Sequence, residues 1–100
     1  MVALVSGANR LDERSLASVA GAPVAKADAD TARTATGYSI GGVPPFGHAT
    51  DVPVFMDRDL LRYGVVWAAA GRPDSVFEIS PQRLLELSQA EVADLKATAP

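Results

Sequence analysis

A chain of 100 residues with 48% apolar side chains and a formal net charge of −3 has the composition of a small globular domain, not of a disordered segment. Cysteine is absent and histidine occurs once, which excludes disulfides, thiolate catalysis and any cysteine or multi-histidine metal centre, so neither a metal nor a cofactor is expected. The acidic balance argues against generic DNA or phosphate-backbone binding, with Arg58, Arg62, Arg72 and Arg83 the available donors for any local basic patch. No stretch approaches the ~20 apolar residues of a membrane span, and Met1–Val5 is too short for a signal sequence, so a cytoplasmic protein is expected.

Met1-Val2-Ala3-Leu4-Val5 reads as a buried strand that begins at the first residue. Val5-Ser6-Gly7-Ala8-Asn9-Arg10 then imitates the glycine-rich turn that receives a dinucleotide pyrophosphate. The two further glycines which that turn requires are Leu11 and Glu13 here, and a carboxylate repels pyrophosphate, so the dinucleotide reading is rejected.

Leu11-Asp12 opens a short helix to Gly21, with Asp12 as cap and Leu11 and Leu16 at staple positions. Leu16, Val19 and Ala20 supply its apolar face, and Gly21 its stop. Ala22–Ala27 reads as a second strand. Asp28 or Asp30 caps another helix through Thr31–Ala35, ended by Gly37. Further on, Val52–Met56 is a strand in which Pro53 indicates an edge or a bulge. Asp57 is read first as the cap of a helical turn, Arg58–Arg62. Gly64–Ala70 and Ser75–Ile79 flank Gly71-Arg72-Pro73-Asp74 as a hairpin, with Trp67 assigned to the core. Ser80-Pro81 begins a helix that continues through Leu84, Leu85, Leu87 and Ser88, and Ala90–Leu95 adds a final short element. Short strands alternating with short helices predict an α+β or α/β domain.

Between these elements lies Thr36-Gly37-Tyr38-Ser39-Ile40-Gly41-Gly42-Val43-Pro44-Pro45-Phe46-Gly47-His48, in which four of thirteen residues are glycine and two are proline. Glycine permits close approach to the main chain, whereas Val43-Pro44-Pro45 is stiff and extended. The loop is therefore shaped, with Tyr38 and Phe46 packing it onto the core. His48 is placed either to act near neutral pH or simply to be solvated.

Thr-Gly-Tyr-x-Ile-Gly-Gly-Val-Pro-Pro-Phe-Gly-His resembles the signature of the YbaK/prolyl-tRNA-synthetase-associated domains. Leu4-Val5-Ser6-Gly7, the Leu11-Asp12 helix, Val54 to Asp57-Arg58-Asp59-Leu60-Leu61, Ala70-Gly71 and Phe77-Glu78-Ile79-Ser80-Pro81 fall in that family's order. The resemblance implies an α+β fold with a mixed sheet or partly open barrel and short flanking helices. Residues 1–100 would form one domain equal to the C-terminal two thirds of the family's, whose N-terminal segment carries a lysine tied to activity. Lys26 and Lys96 are the only lysines here, and neither occupies that motif.

The implied activity is hydrolysis of the ester joining an amino acid to the 3′ ribose of tRNA, clearing a small wrong residue such as alanine or cysteine. In several members a ribose hydroxyl of the substrate, not a protein nucleophile, helps to activate water. The resemblance makes the backbone N–H groups of Gly41, Gly42 and Val43 oxyanion donors, with His48 as a further candidate. It assigns Thr36, Gly37, Tyr38, Ile40, Pro44, Pro45, Phe46, Gly47 and Asp57 to substrate binding. The implied partners are the 3′ end of aminoacyl-tRNA and an aminoacyl-tRNA synthetase. The rival readings are a catalytically impaired module that binds tRNA or a protein, and a fragment without activity of its own. A strand deprived of the family's N-terminal neighbours is expected to pair with a second copy, giving a homodimer.

Overall fold

In a computed structural model of the chain, residues 1–7, 9–25, 27–39, 42–72 and 74–97 are described. The apolar run Val54-Phe55-Met56 is the centre of the fold. It lies in strand β2 (Val54–Asp57), which pairs in parallel with β1 (Val2–Leu4) on one side and β5 (Glu91–Ala93) on the other. A parallel sheet is covered on both faces, so its middle strand reads as continuously apolar and not alternating. All four β2 residues are buried accordingly. Phe55 joins Leu16, Ala93 and Leu95 in one cluster, and Met56 joins Leu60 and Leu84 in another.

The first cluster is covered by helix α1 (Glu13–Ala20), which turns Leu16 into it. Asp12 caps α1 as expected, accepting from the Arg14 N–H and the Ser15 hydroxyl, and Gly21 ends it with φ 73°. Val19, expected on the apolar face, is exposed. Helix α2 (Ala29–Thr36) is capped by Asp28, not Asp30. The second cluster is covered by helix α3 (Pro81–Ser88), whose N-cap Ser80 and leading Pro81 match the sequence reading. Between β2 and α3 the chain makes a 3₁₀ turn (Arg58–Arg62) and an antiparallel hairpin of β3 (Val66–Ala69) and β4 (Val76–Ile79). The result is the expected α+β class, with one small parallel sheet and one antiparallel pair.

Four expectations are corrected. Residues 22–25 and 27 form no strand: they run exposed along α1 except for half-buried Val24, and Lys26 lies outside the described residues. Pro53 marks neither an edge nor a bulge but the entrance to the central strand, where its carbonyl accepts from Val2 N–H at 2.8 Å and no N–H of its own is needed. Strand β1 is half-buried and lies at the edge of its sheet. Trp67 is not core but 64% exposed, because a hairpin covered on one side only turns alternate residues to solvent.

The caps carry a pH signature. The Ser15 hydrogen bond, and the Thr31 N–H, hold the Asp12 and Asp28 carboxyls respectively below their ordinary value of 3.8. A carboxylate depressed in the folded state stabilises fully above its unfolded pKa and loses that contribution as pH falls through the lower folded value. Helical circular dichroism is therefore expected to hold down to about the ordinary 3.8 and to fall below it. Replacing both residues by Asn, which still caps, should flatten that acid limb.

Candidate functional site

The loop from Thr36 to His48 is fastened at both ends by its own side chains. The Thr36 hydroxyl donates back to the Ala32 carbonyl at 2.6 Å, and it accepts from the Tyr38 N–H at 3.2 Å. Gly37 takes φ 84°, and a Cβ there would meet the Ala49 side chain at 3.0 Å, because the Ala49 N–H returns to the Thr36 carbonyl at 2.8 Å. The position thus needs glycine for both its angle and its space. Tyr38 crosses the loop, its hydroxyl donating to the Gly47 carbonyl at 3.3 Å. Its ring lies so close to Gly71, in the hairpin turn, that a Cβ on Gly71 would approach it to 3.2 Å.

The proline pair forms the floor. Pro44 and Pro45 are both buried. His48 Nε2 lies 2.7 Å from the Pro44 carbonyl; a carbonyl only accepts, so Nε2 carries the proton and donates. His48 is thereby a strut of the loop, with Nδ1 the nitrogen left for other partners. Phe46 packs on the Met56 cluster and meets Phe77 edge to face at a centroid distance of 5.9 Å.

The prolines divide two hollows. On one side, Tyr38, Pro44, Phe46, Gly47, Ala70 and Phe77 line an open cleft of about 390 Å³. On the other, Pro45 joins residues of β1 and β3 with Leu60 and Leu84 around a pocket of about 190 Å³ whose lining side chains are all apolar. That is smaller than the 300–1,000 Å³ typical of drug-sized ligand sites.

The backbone donors divide as well. Gly42 N–H donates to the Ser39 carbonyl at 3.0 Å, so it is not the free donor expected from the sequence. No acceptor for the Val43 N–H is found among the described residues. Ile40 and Gly41 lie outside them.

Asp57 stands apart from the loop. It ends β2, but its side chain makes no cap to the 3₁₀ turn, correcting the sequence reading. Oδ1 instead accepts from Leu95 N–H at 2.9 Å, while the buried Oδ2 has no partner among the described residues. Asp57 opens on a different cleft, shared with Arg58, Asp59, Arg62, Asp94 and Lys96. There Asn9 donates to Asp59 at 2.7 Å, and this bond, with Arg62 and Lys96 beside it, holds the Asp59 carboxyl below the usual carboxylate range. Arg58, Arg62, Arg72 and Arg83 each lie within 4 Å of an acidic neighbour on the surface and form no continuous basic face.

The family resemblance assigned Asp57 to substrate binding, and its position before the turn made it a helix cap. The geometry gives it a role in joining β2 to the segment after β5. Asp57→Ala leaves the Leu95 N–H unpaired next to a fully buried side chain, and is expected to cost about 1–3 kcal/mol in urea unfolding. Asp57→Asn keeps the acceptor for the Leu95 N–H and should largely retain the parent stability.

Comparison with known proteins agrees with this architecture. A solved structure described as "a putative trans-editing enzyme for prolyl tRNA synthetase" superposes with a TM-score of 0.92 at 48% identity, covering 96% of this chain and 61% of that one. A solved structure from work on epitope backbone grafting onto scaffold proteins gives 0.91 at 47% identity, covering 96% and 64%. The uncharacterized protein YwhH of Bacillus subtilis (strain 168) is 44% identical over 57 residues, which is 57% of this chain and 36% of that protein. The chain thus spans less than two thirds of the length of the relatives it matches. The family model for the aminoacyl-tRNA editing domain matches residues 1–87. By that match, and by the loop, hairpin and α3 geometry it encloses, the chain belongs to the aminoacyl-tRNA editing domain family.

Proposed function

We propose that the chain acts on the ester of mischarged tRNA carrying a small amino acid such as alanine or cysteine, releasing the amino acid from the 3′ ribose. The observation that carries this reading is the pocket of about 190 Å³ walled by Pro45, two residues along the chain from Val43, whose N–H has no acceptor among the described residues. A small side chain fits such a hollow, and Val43 N–H is then the donor nearest to the carbonyl that becomes an oxyanion. One such donor is typically worth about 2.7–4 kcal/mol in the transition state. Pro44 and Pro45 hold the wall rigid, and His48 holds Pro44. Water is the nucleophile, activated by the substrate's own neighbouring hydroxyl. The residues 1–100 act as one unit in this reading, in the cytoplasm, alongside an aminoacyl-tRNA synthetase. Among the described residues no helix is long and apolar enough to cross a membrane.

A second reading, a module that binds acylated tRNA without cleaving it, is favoured by one observation. Lys96 lies 3.8 Å from Asp59 in the cleft of Asp57 and lines neither hollow beside the prolines. A deacylation assay beside a tRNA-binding assay separates the two.

If the pocket selects by size, alanyl-tRNA should be deacylated faster than leucyl-tRNA by roughly 10- to 200-fold in kcat/KM. Ala68→Leu, which fills the pocket, should abolish that activity with the fold intact by circular dichroism, and Lys96→Ala should leave it unchanged. Equal rates for the two substrates remove the pocket from the mechanism. Loss of activity in Lys96→Ala replaces the proposed arrangement by one that uses this lysine.

The edge position of β1 also bears on assembly. Beside it lies a groove of about 700 Å³ lined by Met1, Ala3, Leu11, Leu16 and Val24, among others, with Arg10 and Glu13 on its walls. An open strand edge next to an apolar groove invites pairing. The proposed assembly is a two-fold dimer through β1, in which Arg10 of one copy faces Glu13 of the other. Sedimentation at micromolar concentration is expected to give a dimer; a monomer at all concentrations removes this proposal.

A further inference from the structure

The outer face of the β3–β4 hairpin carries an exposed apolar feature at the border of the acyl pocket. The register pairs Trp67 with Glu78 and Ala69 with Val76, which puts these four side chains on one face. Trp67 is 64% and Val76 62% exposed, whereas Val66, Ala68, Phe77 and Ile79 of the other face are half-buried. A largely exposed indole beside an exposed valine is an apolar platform that the described residues leave uncovered. Directly opposed residues in an antiparallel pair stand with Cβ atoms about 4.5–5.5 Å apart. The Glu78 carboxylate is therefore at the border of the indole, and it has no hydrogen-bond or ion-pair partner among the described residues.

A flat π-face with a carboxylate acceptor at its edge has a definite complement. A planar base stacks on the indole, and an exocyclic amine on that base donates to the carboxylate. Adenine and cytosine carry such an amine at this edge; uracil presents only a carbonyl there. We propose that Trp67 and Glu78 form a subsite for an unpaired adenine or cytosine of the RNA 3′ end. The placement supports RNA over a basic protein side chain, because Trp67 also borders the pocket walled by Pro45 and the chain is of an aminoacyl-tRNA editing family. An acylated RNA whose amino acid entered that pocket has its terminal bases alongside. This inference rests on the proposed acyl pocket for its geometry, but its test does not require hydrolysis.

Trp67 is the only tryptophan of the chain, so its fluorescence reports on the platform directly. Titration with the trinucleotide CCA is expected to quench the emission saturably, with a Kd at least fivefold below that for UUU. Glu78→Ala should erase the difference between the two. Trp67→Leu, on an outward face and so expected to fold, should raise KM for alanyl-tRNA roughly tenfold with little change in kcat. Emission unchanged by CCA, equal affinity for CCA and UUU, or a response to oligolysine alone overturns the subsite, the last making the face a protein interface. A response to CCA in a chain without deacylase activity keeps the subsite and overturns the catalytic reading. Hydrolysis with a KM indifferent to Trp67→Leu does the reverse.

Discussion

Everything in the molecule is referred to one strand. Among the described residues, β2 is the only strand of its sheet with a neighbour on each side, and its four residues are buried. Phe55 anchors the α1 face and Met56 the α3 face, so a single dipeptide sets the distance between two half-cores. Its last residue extends this control through a hydrogen bond. Asp57 fastens Leu95 N–H, Leu95 returns its carbonyl to Asp12 N–H at 2.7 Å, and Asp12 caps α1. Burial of a carboxylate is costly unless it is hydrogen-bonded. Asp57 offsets part of that cost with one oxygen bonded to the main chain, while its buried Oδ2 has no partner among the described residues.

The loop between α2 and β2 is stiff for reasons that add together. Proline restricts Val43-Pro44-Pro45, while Tyr38 and His48 bridge the loop to itself through main-chain carbonyls and Thr36 ties its start back to α2. Three glycines at positive φ serve this arrangement: Gly37 passes Ala49, Gly47 accepts from Tyr38, and Gly71 lets the hairpin turn come down on the Tyr38 ring. Two separate segments are thus held at one place, and the hollows on either side of the prolines are defined by contacts that leave them little freedom to collapse. A pocket meant to discriminate by size needs such walls, because a yielding wall admits the larger side chain.

The hairpin connects the two themes. One face of it closes on Met56 and Phe46, and the other carries Trp67, Val76 and Glu78 outward. A two-stranded ribbon alone is marginal in water, so the inner face has to be packed before the outer one can present a fixed surface. The apolar outer face is then a consequence of position and not of a poor core.

Local chemistry was readable from the residues one at a time. Asp12, Asp28 and Ser80 cap helices because a short oxygen-bearing side chain satisfies free N–H groups, and Gly21 and Gly37 stop them because only glycine enters the left-handed region without strain. The hairpin, the apolar run of β2 and the glycine-proline loop belong to the same class, and so does the family signature they carry. What depends on partners distant in the chain was not readable. Ala22–Ala27 is apolar enough for a strand, yet its described residues pair with no strand, although the edge of β1 lies across the groove that Val24 lines. Trp67 and Val66 are equally apolar neighbours, and only the packing of one hairpin face decides that the first is exposed and the second covered. Asp57 precedes a helical turn and so reads as its cap, but a backbone N–H from 38 residues further on reaches it instead. Gly42 looked free because a sequence shows donors without their acceptors; in the folded loop Ser39 takes its N–H. Propensity and capping act within a few residues and are written in order along the chain, whereas strand edges, exposed faces and hydrogen-bond partners are properties of surfaces that exist only once the chain has closed on itself.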